Sequence, residues 1–416
     1  MLVIGNPGNR RTASLQSARA RLGLPPAEML TYDELLRGGS LTEAVRARGW
    51  HTGRPPLLRL DAPGECFEVE RGLIALGAPD RRESEADDRL LPFGHRDDPE
   101  PISFRTALQL REQVGRLYHP SQWFRGYGRL LGRLEREADE LWPGGPGGSA
   151  RWVNAPGDVI AMFDKRHTSR LLSAAAVPVP PTPAQPETLT GYEALREAMA
   201  GARMYRVFVK LACGSGASGV IAYQVNPKTG AEIALTTMGV ESFVTRPPVY
   251  YNASRVKRYT DRATIRRLID WLLRHGAQVE RWIAKASRDG RPFDIRQLVV
   301  LGQACHRVAR ISSAPMTNLH LGSERMDPAE LGLAAEALDA VRDCAERALA
   351  AFPRSGVAGI DVMLDAAALR PYVADVNPFG DLLYRVAYRG CDPYEWQLRR
   401  YAAAEGEEGR LAPCRI

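Results

Sequence analysis

The chain opens on an apolar run, "MLVIG", that breaks at "NPGNRR" and gives way to a helical pattern from about Ala13 to Leu22. Such a run, bounded by Gly, Asn and Pro, predicts a buried strand and a tight turn. Gly5 and Gly8 resemble half of a dinucleotide fingerprint, but the third glycine is missing, so a turn in an α/β layer is the favoured reading. "SEADDRLLPFGHRDDPEP" predicts a charged loop, and Phe104 to Trp142 is mostly helical in pattern. "PGGPGGSA" then marks the best linker.

Beyond Arg151 the pattern changes. "DKRHTSRLLSAAAVPVPPT" predicts a capped helix and a proline-rich connection. "RVFVK" and "SGVIAYQV" read as strands around the loop "LACGSGASG". In "SRVKRYTDRATIRRLIDWLLRHG", Ile265, Leu268, Ile269, Leu272 and Leu273 share one face of an amphipathic helix. "QVERWIAKA" follows, and "FDIRQLVVLGQACHRVARI" predicts a hairpin turning near Gly302. After a helix from roughly Pro328 to Ala351, "AGIDVML" and "PYVADVN" predict two strands joined by a short turn. Paired strands with helices between them point to a mixed α/β and α+β architecture. The divisions expected are residues 1–150, 151–278 and 279–416.

Composition narrows the class without choosing a function. Of 416 residues, 44% are hydrophobic and 25% charged, and 56 Lys and Arg stand against 49 Asp and Glu, a net +7. That is a globular protein, mildly basic, with no polybasic tract; neither a nucleic-acid nor a membrane partner is expected. No stretch approaches the roughly 20 apolar residues of a membrane span. The six cysteines (66, 213, 305, 344, 391 and 414) are scattered without a CxxC, and the His show no zinc spacing. A reduced, cytoplasmic protein is the expectation.

The candidate chemistry is spread along the second half. Lys210 ends a strand, and Gly214, Ser215, Gly216 and Gly219 follow with only small residues between. Backbone N–H groups there could close over phosphates, and a flexible hairpin is the equal alternative. Lys165 begins a helix, where an exposed lysine is the default. "VERWI", Glu280 to Ile283 with Trp282 between, could be a strand that becomes an adenine hinge. Asp294 and Arg296 share a strand face, and Arg310 lies on the return strand; a cross-strand ion pair would explain Asp294 with no function attached. "VADVNPFG" reads first as a turn. With a turn centred near Ala368, however, a simple register sets Asp361 opposite Asp375, with Asn377 on the same face. Carboxylates directly opposed repel unless a proton or cation joins them, and oxygen-only ligands suit Mg²⁺.

In order, "FDK", "VFVK" with "GSGASGV", "VERWI", "FDIRQLVVLG", "ARISS" with "TNLHLG", "GIDVM" and "VADVN" resemble the ATP-grasp superfamily over roughly Asn154 to Gly380. The likeness is to the glutathione synthetase and ribosomal-protein-S6 glutamate ligase branch, and within it to a bacterial group named STM4014-type. The resemblance implies an ATP-grasp fold behind a pre-ATP-grasp domain. Lys165 and Lys210 would bind the α- and β-phosphates of ATP under the Gly214–Gly219 loop. The backbone of Glu280 to Ile283 would hold adenine, and Asp294 the ribose. Arg296 and Arg310 would face the γ-phosphate and acyl intermediate, with Asn318 beside the metal–phosphate cluster. Asp361, Asp375 and Asn377 would hold two Mg²⁺, although the family usually has Glu at the position of Asp375. The implied activity is carboxylate–amine ligation through an acyl-phosphate, with small-molecule or peptide substrates and, as in that branch, a homodimer. The alternatives are a kinase acting on a hydroxyl and a nucleotide-binding protein without turnover.

Overall fold

The structure is a computed structural model that describes all residues except 82–87, 93–97, 145–148, 215–217, 318–321, 381–382, 408, 410 and 415–416. The first layer is a parallel sheet of β1 (Leu2–Gly5), β2 (Glu28–Thr31), β3 (Leu57–Leu60) and β4 (Arg151–Trp152), in the order β2-β1-β3-β4. Its last strand thus comes after the Gly/Pro break. Helix α1 (Arg10–Arg21) starts three residues before the expected Ala13, because Asn9 caps it by accepting from the Arg11 N–H.

Helices α2 (Tyr32–Leu36), α3 (Leu41–Ala47), α4 (Phe67–Leu76) and α6 (Pro120–Leu141) cover this sheet, and α5 (Phe104–Leu108) packs on α4. The span Phe104 to Trp142 is therefore two helices and not one, with residues 109–119 irregular between them. Pro120 explains the restart: it sits at the first helical position, where a missing N–H costs nothing. Helices α4 and α6 cross on glycine. A Cβ on Gly77 would lie 1.9 Å from the Gln122 carbonyl, and one on Gly126 1.8 Å from that of Leu73. No side chain fits at either position.

After α7 (Pro156–Phe163), α8 (Lys165–Ala174) and α9 (Tyr192–Gly201) comes a five-stranded antiparallel sheet. It holds β5 (Arg206–Leu211), β6 (Val220–Val225), β7 (Glu232–Glu241), β8 (Val249–Tyr259) and, after α10 (Arg262–Arg274), β9 (Ala277–Arg281), in the order β8-β7-β6-β5-β9. "SRVKRY" belongs to β8 and not to the basic helix expected to contain it. Asp261 sets the true start of α10 by accepting from the Thr264 N–H at 2.8 Å. Ile265, Leu268, Ile269, Leu272 and Leu273 are all buried, as their spacing requires.

The remaining sheet holds β10 (Ser287–Arg288), β11 (Arg291–Val300), β12 (Gln303–Ile311), β13 (Glu324–Met326), β14 (Val357–Leu364) and β15 (Pro371–Asn377). Its order is β13-β12-β11-β14-β15, with β10 paired to β11. Helix α11 (Ala335–Ala350) packs Val341, Cys344, Ala345, Ala348 and Leu349 into that sheet's core. It is shorter than the span Pro328 to Ala351: Pro328–Leu331 is a separate 3₁₀ turn, ended by left-handed Gly332. Helix α12 (Pro393–Ala404) then returns to the first layer, where Arg21 reaches Glu395 at 2.5 Å and Arg59 donates to Gln397 at 3.0 Å.

Cys391 and Cys414 form a disulfide, against the expectation that all six cysteines are reduced. Their separation of 23 residues had no local signature; they meet because the tail turns back along α12 to place Leu411 on α1. Among the described residues no helix is long and apolar enough to cross a membrane.

Candidate functional site

Two bulged hairpins set the register of Asp294, Arg296, Arg310, Asp361 and Asp375. Leu301 and Gly302, both at positive φ, turn β11 into β12. Counted from that turn alone, Asp294 would oppose Ala309. A bulge at Cys305 and His306 shifts the pairing by one and brings Arg310 opposite Asp294. The second hairpin repeats the device. Its end pairs Leu364 with Pro371 and Val362 with Val373, which would set Asp361 opposite Ala374. Ala374 is an extra residue, and beyond it Asp361 opposes Asp375, with Asn377 opposite Gly359. The expected pairing is present, reached by a bulge and not by a simple register.

The charges then satisfy one another. Arg310 holds Asp294 at 2.7 Å through Nε and Asp361 at 3.0 Å through Nη2. Arg296 grips both oxygens of Asp361. The far side of Asp294 takes Lys285, at 3.5 Å, and the Thr317 hydroxyl. Burial opposes ionisation of Asp294, yet Arg310 and Lys285 outweigh it and hold its carboxyl below the ordinary range. Burial likewise lowers the Lys285 pKa, Asp294 only partly restoring it. With the cross-strand pair formed and both its oxygens engaged, Asp294 has the ion-pair arrangement anticipated for it without function.

The five-stranded sheet and helix α8 each face this network with one lysine. Lys210 on β5 reaches Glu280 on β9 at 2.5 Å and donates to the carbonyl of the bulge residue Ala374 at 3.2 Å. Burial would lower the Lys210 pKa, but Glu280, Asp375 and Asp361 raise it, so the ammonium stays charged. Burial pushes the Glu280 carboxyl up, against the pull of Lys210. Lys165, at the start of α8, lies 3.3 Å from Asp375 and donates to the Gly214 carbonyl at 2.8 Å. Gly219 closes the described part of the loop at φ 66°, a conformation that favours glycine. Ser215, Gly216 and Asn318 lie outside the described residues. Trp282 packs on Phe208 and under Arg206, and Ile283 is buried beside it. Burial drives the Cys213 thiol up to about 12, so it is no thiolate at neutral pH.

These elements enclose one end of a cavity of about 670 Å³. Lys165, Gly214, Arg296, Arg310, Asp361, Asp375 and Asn377 line it; Lys210, Glu280, Trp282, Ile283 and Asp294 stand outside its lining. The opposite wall comes from the first layer, through Asn9, Arg10, Arg11 and residues 62–65. Sequence reasoning missed Lys285 and Thr317. For Lys285 a signal existed: Asp289–Gly290 is a two-residue hairpin turn with both φ positive, and counting outward from it sets Lys285 opposite Asp294. Nothing in the sequence marked Thr317, which lies in an irregular segment.

A parallel layer followed by two antiparallel sheets that clasp a charged cavity is the architecture of a grasp fold. Comparison with solved structures agrees with that architecture. The ADP complex of an N5-carboxyaminoimidazole ribonucleotide synthetase aligns with 96% of this chain and 75% of its own, at 10% identity and a TM-score of 0.51. The biotin carboxylase domain of Hydrogenobacter thermophilus 2-oxoglutarate carboxylase, with MgADP and bicarbonate, aligns with 96% of this chain and 68% of its own, at 12% identity and a TM-score of 0.50. The ATP-grasp ligase PsnB, complexed with a minimal precursor, aligns over 92% and 91% at 14% identity and a TM-score of 0.45. No family model matches the sequence, and comparison with curated proteins finds no relative. The chain has the ATP-grasp fold.

Proposed function

We propose that the protein is an ATP-dependent carboxylate–amine ligase that works through an acyl-phosphate and releases ADP and phosphate. The observation that carries this reading is the meeting of Asp361, Asp375 and Asn377 with Arg296, Arg310 and Lys165 at one end of a single cavity. Asn377 donates its Nδ2 to the Gly359 carbonyl at 3.1 Å, which leaves its Oδ1 as a donor atom for a cation. Two carboxylates and that oxygen are a hard, oxygen-only set of the kind Mg²⁺ takes, and Asp361 would share with the cation the oxygens that Arg296 and Arg310 now hold. Bound there, Mg²⁺ would supply charge that offsets the transferring phosphoryl group.

The chain's own residues supply the rest. Lys165 and Lys210 would bind the nucleotide phosphates beneath the Gly214–Gly219 loop, while the segment Glu280 to Ile283, with Trp282, would seat the adenine. Arg296 and Arg310 would orient the substrate carboxylate and stabilise the oxyanion that forms when the amine attacks. Enclosure by both layers would keep water from the acyl-phosphate. An ADP-release screen over paired acids and amines, with hydroxylamine as a trap, tests this reading. A hydroxamate, with carboxylate ¹⁸O passing into the released phosphate, is expected. A product that keeps the phosphate, with no hydroxamate from any productive pair, would mean a kinase and end the ligase reading.

A further inference from the structure

The opposite end of the cavity has no place in that mechanism, yet its architecture is that of a binding site. In the first sheet the chain runs from β1 to β2 on one side and to β3 on the other, all three parallel. The strand order therefore reverses between β1 and β3. At such a switch point the loops leaving the carboxyl ends of the two strands part and form a crevice. Here those loops are Asn6–Asn9 and Asp61–Glu65. Asn6 ties them, donating to the Pro63 carbonyl at 2.8 Å and that of Gly64 at 3.1 Å.

The crevice is built for negative charge. Helix α1 begins in it, and its first turn holds Arg10 and Arg11 with no acidic residue. Cations at a helix N-terminus oppose the macrodipole, which favours an anion there. Neither arginine has a carboxylate partner among the described residues. Asn9, 5% exposed and in the cavity wall, uses Oδ1 to cap the helix, and its Nδ2 has no acceptor; nor has the buried Nε of Arg11. Unpaired buried donors cost stability, and two beside one helix start call for a shared acceptor. The acids lining this end are Glu65, which is exposed, and Glu70; Asp61, buried behind the lining, is already engaged by Arg59 at 2.8 Å and by the Thr12 hydroxyl at 2.7 Å. Burial, with Glu112 nearby, pushes the Glu70 carboxyl up toward its neutral form and weakens its opposition. On the facing wall stand Arg116 and Arg325.

We infer that the acid activated by this enzyme carries a second anionic group, a carboxylate or a phosphate, which docks on Asn9, Arg10 and Arg11 while its reacting carboxylate lies by Arg296 and Arg310. The inference rests on the ligase reading for the reacting end; the crevice stands on its own geometry. The cavity, of about 670 Å³, is continuous between the two ends and lies in the size range of small-ligand sites.

Calorimetric titration tests it on the full chain, with and without the β,γ-imido analogue of ATP and Mg²⁺. The probes are glutarate, 4-phosphonobutyrate and the half-amide glutaramate. Loss of a charge-assisted contact predicts that the half-amide binds at least about tenfold more weakly than a dianion. The Arg10→Gln/Arg11→Gln variant should erase that difference while melting no lower than the parent protein and keeping its affinity for the ATP analogue. The tighter of the two dianions identifies a carboxylate or a phosphate as the natural group. Equal affinity for the half-amide, a preference retained by the double variant, or no binding of either dianion at millimolar concentration would overturn the inference. Failure of the ATP analogue to bind would count against the ligase reading alone, because dianion preference is also read without it.

Discussion

Hairpins β11–β12 and β14–β15 lie in one sheet, and each owes its register to a single bulge, yet the two bulges are completed in different ways. In the first, the buried amide of Gln297 donates to the carbonyls of Leu298, Cys305 and His306, at 3.1, 3.2 and 3.1 Å. The device is neutral and closed within its own hairpin. In the second, the carbonyl of Ala374 takes its hydrogen bond from Lys210, a charged group on a different sheet. The position of Asp375 therefore depends on how the five-stranded sheet is docked, and that of Asp294 does not. A fixed bulge builds the ion-pair scaffold; a bridged one joins the strand of Asp375 and Asn377 to the five-stranded sheet.

The largest change that breaks this contrast is Asp294→Ala. It strands Arg310 and Lys285 without their shared acceptor, and urea unfolding should show a loss of about 3–5 kcal/mol. Asp375→Asn should act the other way. Its side chain is 27% exposed and paired with Lys165, so stability should move by less than about 1 kcal/mol. ADP release with any productive acid–amine pair should fall by about 10²–10³-fold. Near-normal turnover would remove Asp375 from the site.

The next test loosens the docking without touching either hairpin. His275, after α10, meets Ser121 of α6 at 2.9 Å. Burial, with help from His119 and Arg274 and against Asp98, drives its pKa down to about 4. The unfolded chain therefore binds the extra proton first, and stability present above pH ~6.5 is lost as pH falls toward 4, by roughly 3 kcal/mol. His275→Gln should flatten that part of the profile. In the native protein, hydrogen exchange at Val373–Asp375 should quicken with acid before exchange at Ala304–Arg307. Gln297→Leu inverts the test: it should cost about 1–3 kcal/mol by leaving the bulge carbonyls unpaired, with exchange along β15 unchanged. The smallest effect is expected at the far end of the cavity. Arg11→Gln relieves the clash with the α1 dipole and should raise stability by up to about 1 kcal/mol.

These two hairpins also mark what could be read from the chain. Apolar period and turn residues placed β11, β12, β14 and β15, because both depend on neighbours in sequence. Bulges do not announce themselves that way. Ala374 is an ordinary residue, and its role emerges only from pairing with β14 and from Lys210, 164 residues away. The opposition of Asp361 and Asp375 was legible because an assumed turn centre at Ala368 happened to absorb the extra residue. Lys285 was legible in principle from the Asp-Gly turn. By contrast, Asn226 to Gly230 and Pro247–Pro248 punctuate the starts of β7 and β8, but the basic stretch at the end of β8 runs on into a true helix, so the boundary at Asp261 was passed over. That the α1 start shares one cavity with Asp361 and Asp375 could not be read at all; it is a property of three layers and not of any segment.

Helix α12 has a consequence for how the chain is made. It seats on α1 through contacts between residues 374 apart, and β4 completes the first sheet only after the long helix α6. At ribosomal speeds of about 5–20 residues per second, roughly 20–75 s separate the emergence of α1 from that of its cover. During that interval the apolar face of α1, with Leu15, Ala18 and Leu22, waits for Tyr394 and Leu398. The first layer begun is thus among the last finished, and a nascent chain halted before residue 393 should engage chaperones through α1.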